Sequence, residues 1–288
     1  MNRISKRIRM PQLPGLIPMV GLAAFVVAVG CCSPVSARPV GERISLSSVY
    51  WIFYKEDFNH LDAKAPDLFR QIVAGPGTYV LEHRIGGPPL PPEVIPTEIF
   101  FSSAGLRTAI DHGRVIPGVK FVADDLESKG NTPALERRNP IRAMKGFAHS
   151  AHVHGYRPIL VPGRDLMQVP QAVCAKRRGN TISQAYLRCG LPAAAAYAPI
   201  YVIQAAPVET HLGALRQLVK EGAAEARKAN PHVIVFATLS VSPNGAYVSY
   251  TKAVRAAVAI RPYIQGFAAN DVRSADARMI DFLLALSR

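Results

Sequence analysis

Short apolar runs recur along this chain, and most are separated from the next by a stretch with helical spacing. VYWIFY at 49–54, TYVLEH at 78–83, the run at 119–125, 158–161, PIYVIQ at 199–204, VIVFATL at 233–239 and IQGFAA at 264–269 read as strands. The short apolar segment 98–101 is either a brief strand or the approach to a helix. The spacing predicts helices over 62–73, 104–112, 140–154, 181–188, 209–229, 250–259 and 275–286, with Asn139 and Pro140 supplying an N-cap and a first position. Continuous apolar strands alternating with helices require a parallel sheet covered on both faces. Eight such units in about 240 residues predict a (β/α)8 TIM-type barrel. Five prolines within 85–96 predict neither helix nor sheet there, so a unit near 85–103 is expected to be irregular or missing. An open doubly wound sheet is the alternative. Its nucleotide-binding forms lose support because no G-x-G-x-x-G and no Walker A loop is present.

The N-terminus is set apart by composition. Arg3, Lys6, Arg7 and Arg9 precede an apolar stretch at 16–30, and small residues follow. That is the order and length of a secretory signal, too short to span a membrane comfortably; a buried N-terminal helix is the competing reading. The expected organisation is a signal segment at 1–37, a linker at 38–45 and one barrel domain at 46–288. Val35-Ser36-Ala37 fits a cleavage site. Ala28-Val29-Gly30-Cys31 resembles a bacterial lipobox, with Ala28 in place of the usual Leu, and would make Cys31 a lipidated membrane tether. Both ends imply a protein that is secreted or held at the cell surface. Beyond this segment only Cys174 and Cys189 remain, and in an exported chain the pair is expected as a disulfide.

Charge bounds the partners. The chain holds 34 basic and 20 acidic residues; without the four basic residues of 1–37 it holds 30 against 20, or +10. Such a surface favours anionic polymers such as cell-wall acids. The charges are scattered, apart from Arg137-Arg138 and Lys176-Arg177-Arg178, and no nucleic-acid motif accompanies them, so nucleic acid is not expected. His149, His152 and His154 crowd one predicted helix end, but no carboxylate or cysteine joins them on that helix; helix-dipole complementation accounts for them without a metal. No G-x-S-x-G elbow is present. No cofactor or metal is expected, and the chain is expected to be a monomer. Trp51, the only tryptophan, reads as core, with a sugar-stacking platform as the alternative.

A barrel of this kind gathers chemistry at the carboxyl ends of its strands. The candidates there are Glu82 and His83, Asp125 and Glu127, Arg164 and Asp165, Gln204, Ser240, and Asn270 with Asp271. The bland reading is that strands simply end in polar loops. Asp125 and Glu127 stand out because side chains two apart on a strand share a face. Phe121, Ala123, Asp125 and Glu127 therefore point one way, and Asp124 points outward to the helices or into a loop. Two close carboxylates perturb one another, so that one holds its proton near neutral pH and serves as a general acid. That arrangement suits glycosidic bond cleavage.

Asp125-Leu126-Glu127 resembles the end of the D-x-x-D-x-D-x-E motif of chitinase-type glycoside hydrolases, with Ala123 standing where another Asp is expected. The resemblance implies Glu127 as proton donor to the leaving group and Asp125 as the residue that positions an acetamido group. A longer stretch, 99–165, is similar to a group of secreted bacterial barrel proteins without an assigned reaction. Its pattern of Tyr-Asp-x-Glu, Thr-Pro-x-x-Glu and Ala-His-x-x-Gly falls here on Asp125, Glu127, Thr132, Pro133 and Glu136, with Asp124 replacing the Tyr. The expected function is a barrel acting on carbohydrate or a cell-wall polymer, with Glu127 and Asp125 catalytic and Glu82, His83, Arg164, Asp165, Gln204 and Asn270 lining the substrate. The alternatives are a non-catalytic barrel that binds a glycan or small solute, and an acidic network pairing Asp124 or Asp125 with Arg84 or Arg164.

Overall fold

The computed structural model describes residues 44–83, 89–130, 132–170, 172–174, 181–243, 247–270 and 276–287, without the side chains of Asn270, Asp276 and Ala277. The signal segment, Cys31 and Arg84 lie outside the described residues, as does nearly all of the linker.

Eight parallel strands close into a barrel in chain order. They are β1 (Tyr50–Tyr54), β2 (Thr78–Glu82), β3 (Ile95–Phe100), β4 (Phe121–Leu126), β5 (Arg157–Pro162), β6 (Ile200–Ile203), β7 (Ile234–Ser240) and β8 (Gly266–Asn270). Closure is made by β8 on β1, where Trp51 faces Phe267 in register. The helices are α1 (Lys55–Lys64), α2 (Pro66–Val73), α3 (Ser103–Asp111), α4 (Ala134–Arg138), α5 (Pro140–Val153), α6 (Ile182–Cys189), α7 (Leu212–Ala229), α8 (Tyr250–Ile260) and α9 (Asp276–Ser287).

The proline-rich stretch needs correction. β3 begins at Ile95 and carries Pro96 opposite Val80 of β2. A proline is tolerated so close to a strand's start because few ladder bonds are lost there. The irregularity lies in the β2–β3 connection, which shows no helix among its described residues. The expected helix over 62–73 is two helices, because Ala65 leaves helical geometry and Pro66 starts a new one. Asn139 caps α5 as its position predicts, its side chain accepting from the Arg142 amide at 3.2 Å.

Strand alternation sorts the core into two layers. Ile52, Tyr79, Leu81, Ile99, Phe121, Ala123, Ile159, Val202 and Phe236 fill the barrel interior. Tyr50, Tyr79, Phe121 and Phe236 interlock edge-to-face across it, with Tyr79 and Phe121 5.1 Å apart. The Arg157 guanidinium lies 4.7 Å over Phe121, closing the floor at the strands' amino ends. Gly266 is required beside this plug, because a Cβ there would sit 2.6 Å from the Tyr50 carbonyl and 2.4 Å from Phe236. The second layer lies between strands and helices. Trp51 belongs to it, fully buried, stacked on Phe53 at 5.6 Å and donating to the Leu46 carbonyl at 3.0 Å. Burying one such ring stabilises by about 2–3 kcal/mol.

Candidate active site

The alternation that fills the interior also selects what emerges at the mouth. Phe121 and Ala123 point inward on β4, so Asp125 does too, while Val122 and Leu126 pack outward. Asp125 is 5 % exposed. Its carboxylate accepts from the Tyr54 hydroxyl at 3.3 Å and from the Gln204 amide at 3.4 Å. Tyr54 ends β1 and Gln204 directly follows β6, so three separate strands converge on one carboxyl. Burial, and then the charge of Glu127, push the Asp125 carboxyl up to about 7; the Tyr54 hydrogen bond opposes the rise in part. Glu127, half-buried just beyond β4, is raised by burial and by the charge of Asp165. Burial and the neighbouring Asp125 in turn hold the Tyr54 phenol protonated well above its usual range.

The loop after β4 is held by named contacts. The Glu127 amide donates to Thr132 Oγ1 at 3.2 Å, and that hydroxyl donates to the Phe101 carbonyl at 2.9 Å. Asp165 Oδ2 accepts from the Ser128 amide at 3.0 Å and from its hydroxyl. Gly163 makes this approach feasible: its amide bonds Leu126 O at 2.7 Å, and a Cβ would meet Asp165 Oδ1 at 2.4 Å. Glu136 caps α3, accepting from the Ser103 and Ala104 amides at 3.0 and 3.2 Å. The Thr-Pro-x-x-Glu element thus braces the loop that carries Glu127.

Tyr54, which donates to Asp125, also begins an aromatic stack. His83 stacks on Tyr54 with ring centroids 6.0 Å apart and on Phe101 at 5.1 Å, both within about 20° of parallel. His83 is exposed and Phe101 half-buried.

No protein-family model matches the chain, and no curated protein sequence does. Among solved structures, a GH128 (subgroup III) curdlan-specific exo-beta-1,3-glucanase from Blastomyces gilchristii, in complex with glucose, is similar at 12% identity. The match covers 81% of this chain and 93% of that one, with a TM-score of 0.47.

The structure brings together Asp125, Glu127, Asp165, Gln204 and His83. It turns two other candidates away. Glu82 shares the outward face of Val80 and pairs with Lys55 at 2.6 Å. Arg164 is buried, interacts with the Tyr186 phenol of the outer layer, and has its Nε and Nη1 without hydrogen-bond partners. Burial lowers its pKa. The suggested pairing of Asp124 or Asp125 with Arg164 is therefore corrected. Asp125 bonds Tyr54 and Gln204, and neither oxygen of Asp124 has a hydrogen-bond partner. Asp124 points outward as alternation predicts, fully buried, and its carboxyl is pushed well above its ordinary range by burial and by the charges of Glu136 and Asp125. Asn270 ends β8 beside Ser240, with its side chain outside the described residues, as is Asp271.

Cys174 and Cys189 form a disulfide, with Cα atoms 5.2 Å apart. His149, His152 and His154 are exposed at the end of α5, on the face away from the mouth. Among the described residues no group of His, Cys, Asp and Glu is placed to hold a metal.

Sequence reasoning missed Glu209. It is buried after β6, accepts from the Ser240 amide at 2.8 Å, and is raised to about 8 by burial. Read as the first residue of a helix, an acid there is unremarkable; α7 in fact starts at Leu212. Tyr54 and Phe101 were also missed as site residues, although each lies two positions beyond an inward residue, Ile52 and Ile99.

Proposed function

We propose that the protein is an exported hydrolase of carbohydrate, with the β4 end as its acid site. The observation that carries this reading is Asp125: a mouth-facing carboxyl that holds its proton up to about pH 7, two residues from a half-buried Glu127. Glu127, the more accessible of the two, gives its proton to the glycosidic oxygen as the bond to the anomeric carbon breaks; water then adds to that carbon and its proton returns to the Glu127 carboxylate. Asp125 tunes Glu127 and hydrogen-bonds a substrate polar group, in line with the resemblance to chitinase-type enzymes. Gln204 and Asp165 line the same opening. The Tyr54–His83–Phe101 stack offers a flat apolar face to a sugar ring. The disulfide is compatible with export into an oxidising compartment; lipidation at Cys31 would tether the chain there as a monomer.

The test compares the wild type with Glu127→Gln for release of reducing ends from amino-sugar and cell-wall polymers. Loss of a general acid lowers turnover by about 10²–10⁴-fold. Turnover unchanged in a folded variant would remove Glu127 from the chemistry. One observation favours a binding barrel instead: Asp125 is already engaged by two donors and Asp165 by Ser128. Saccharide bound intact by the wild type, with no product, would select that reading.

A further inference from the structure

The exposed large apolar side chains among the described residues are not scattered. They are Leu135, Val153, Val173, Leu212, Tyr247 and Tyr250, from 42 % to 79 % exposed. Five of the six follow the carboxyl end of a strand. Leu135 lies after β4, Val173 after β5, Leu212 after β6, and Tyr247 and Tyr250 after β7. Those strands are consecutive neighbours in the closed barrel. In this architecture every strand-to-helix connection lies on the mouth face, so the five side chains form an arc along half of its rim. Val153 alone is at the opposite end, where α5 runs into β5.

The exposed charges on that arc, among the described residues, have one sign. The connections from β4 to α5, β5 to α6, β6 to α7 and β7 to α8 contain four acids: Glu127, Glu136, Asp165 and Glu209. None is exposed. Glu127 is half-buried, Glu136 caps α3, Asp165 holds Ser128 and Glu209 lies against Ser240. Lys129 and Arg138, by contrast, are exposed in the first connection, and Lys252 is exposed in the first turn of α8. Aliphatic and tyrosine side chains set among cations match the headgroup region of an anionic bilayer, where tyrosine sits at the interface and lysine and arginine meet anionic headgroups. A polysaccharide surface would instead call for flat rings, and Leu135, Val173 and Leu212 have none.

We propose that the barrel mouth docks face-on to an anionic lipid surface. The substrate class then narrows to saccharides carried on lipid; this last step rests on the hydrolase reading, whereas the docking does not. Trp51 is buried in the outer core and remote from solvent, so a tryptophan introduced at the surface reports its own surroundings. In the full chain, Leu212→Trp and Tyr250→Trp test the mouth and Val153→Trp the opposite face, against phosphatidylcholine vesicles with and without phosphatidylglycerol. The expected result is a blue shift at 212 and 250 with phosphatidylglycerol, none at 153, and reversal at high salt. Lys129→Gln, Arg138→Gln and Lys252→Gln should each weaken vesicle binding about fivefold. An unmoved emission at 212 and 250, or an equal shift at 153 as from tethering by the N-terminal segment alone, would overturn the proposal. So would a shift caused by insoluble polysaccharide or by self-association in place of vesicles. Hydrolysis of a soluble oligosaccharide with no vesicle response would refute the docking and leave the hydrolase reading standing; vesicle docking without hydrolysis would do the reverse.

Discussion

Replacing Asp125 by Asn separates the proton on that carboxyl from the shape of the site. The carboxyl titrates at about 7 in the folded protein against 3.8 as the ordinary value. Between those values the folded state binds more protons than the unfolded one, so stability falls as pH rises from about 4 to 7 and is flat above. Three units at 1.36 kcal/mol each amount to about 4 kcal/mol. Asparagine has nearly the shape of the protonated acid and does not ionise. Asp125→Asn should therefore match the wild type near pH 4 and exceed it by up to about 4 kcal/mol at pH 8, a rise in Tm of about 10 °C for a chain of this size. Glu209 is common to both proteins and cancels in the difference, whereas Asp124 loses the upward push of the Asp125 charge in the variant, which adds to the difference in the same direction. Thermal unfolding followed by circular dichroism from pH 4 to pH 9 measures it. A Tm difference that does not change with pH would mean that the carboxyl is ionised without penalty.

Glu136→Ala should cost about 1–2 kcal/mol by leaving the Ser103 and Ala104 amides without their acceptor, while Glu136→Gln, which keeps an acceptor, should cost less; urea unfolding distinguishes them. Gly266→Ala should destabilise by about 1–3 kcal/mol, because its Cβ would meet the Tyr50 carbonyl backbone; a Tm equal to the wild type would contradict the packing described. Reducing the Cys174–Cys189 bond, which closes a separation of 15 residues, should cost about 3 kcal/mol, read as a lower urea midpoint in the presence of reductant. His83→Ala should raise KM for a saccharide more than it lowers kcat, since stacking holds the ring in ground and transition states alike.

The barrel was legible because its signal is periodic: strands such as VIVFATL are apolar on both faces, and only a covered parallel sheet accepts them. Pro96 hid the start of β3 because a proline near a strand's edge reads locally as loop. Within the site, alternation separated Asp124 from Asp125 and Glu127, and the two core layers of the structure follow that division. Glu82 and Arg164 went astray for the same reason in reverse. A strand end names which residues are near the mouth, but the face of the strand and the partner across the layer decide where each side chain goes: Lys55 holds Glu82 outward, and Arg164 lies against Tyr186. Glu209 left no pattern at all, since its burial depends on the Ser240 amide, 31 residues away in sequence.

The central claim is that a saccharide is held at the mouth with its scissile bond at Glu127. A crystal structure of Glu127→Gln grown with a chito-oligosaccharide tests it directly. A sugar ring should lie on the His83–Phe101 face, with a glycosidic oxygen within hydrogen-bond distance of the residue 127 side chain. An oligosaccharide seated elsewhere, or a mouth that takes up none, would contradict it.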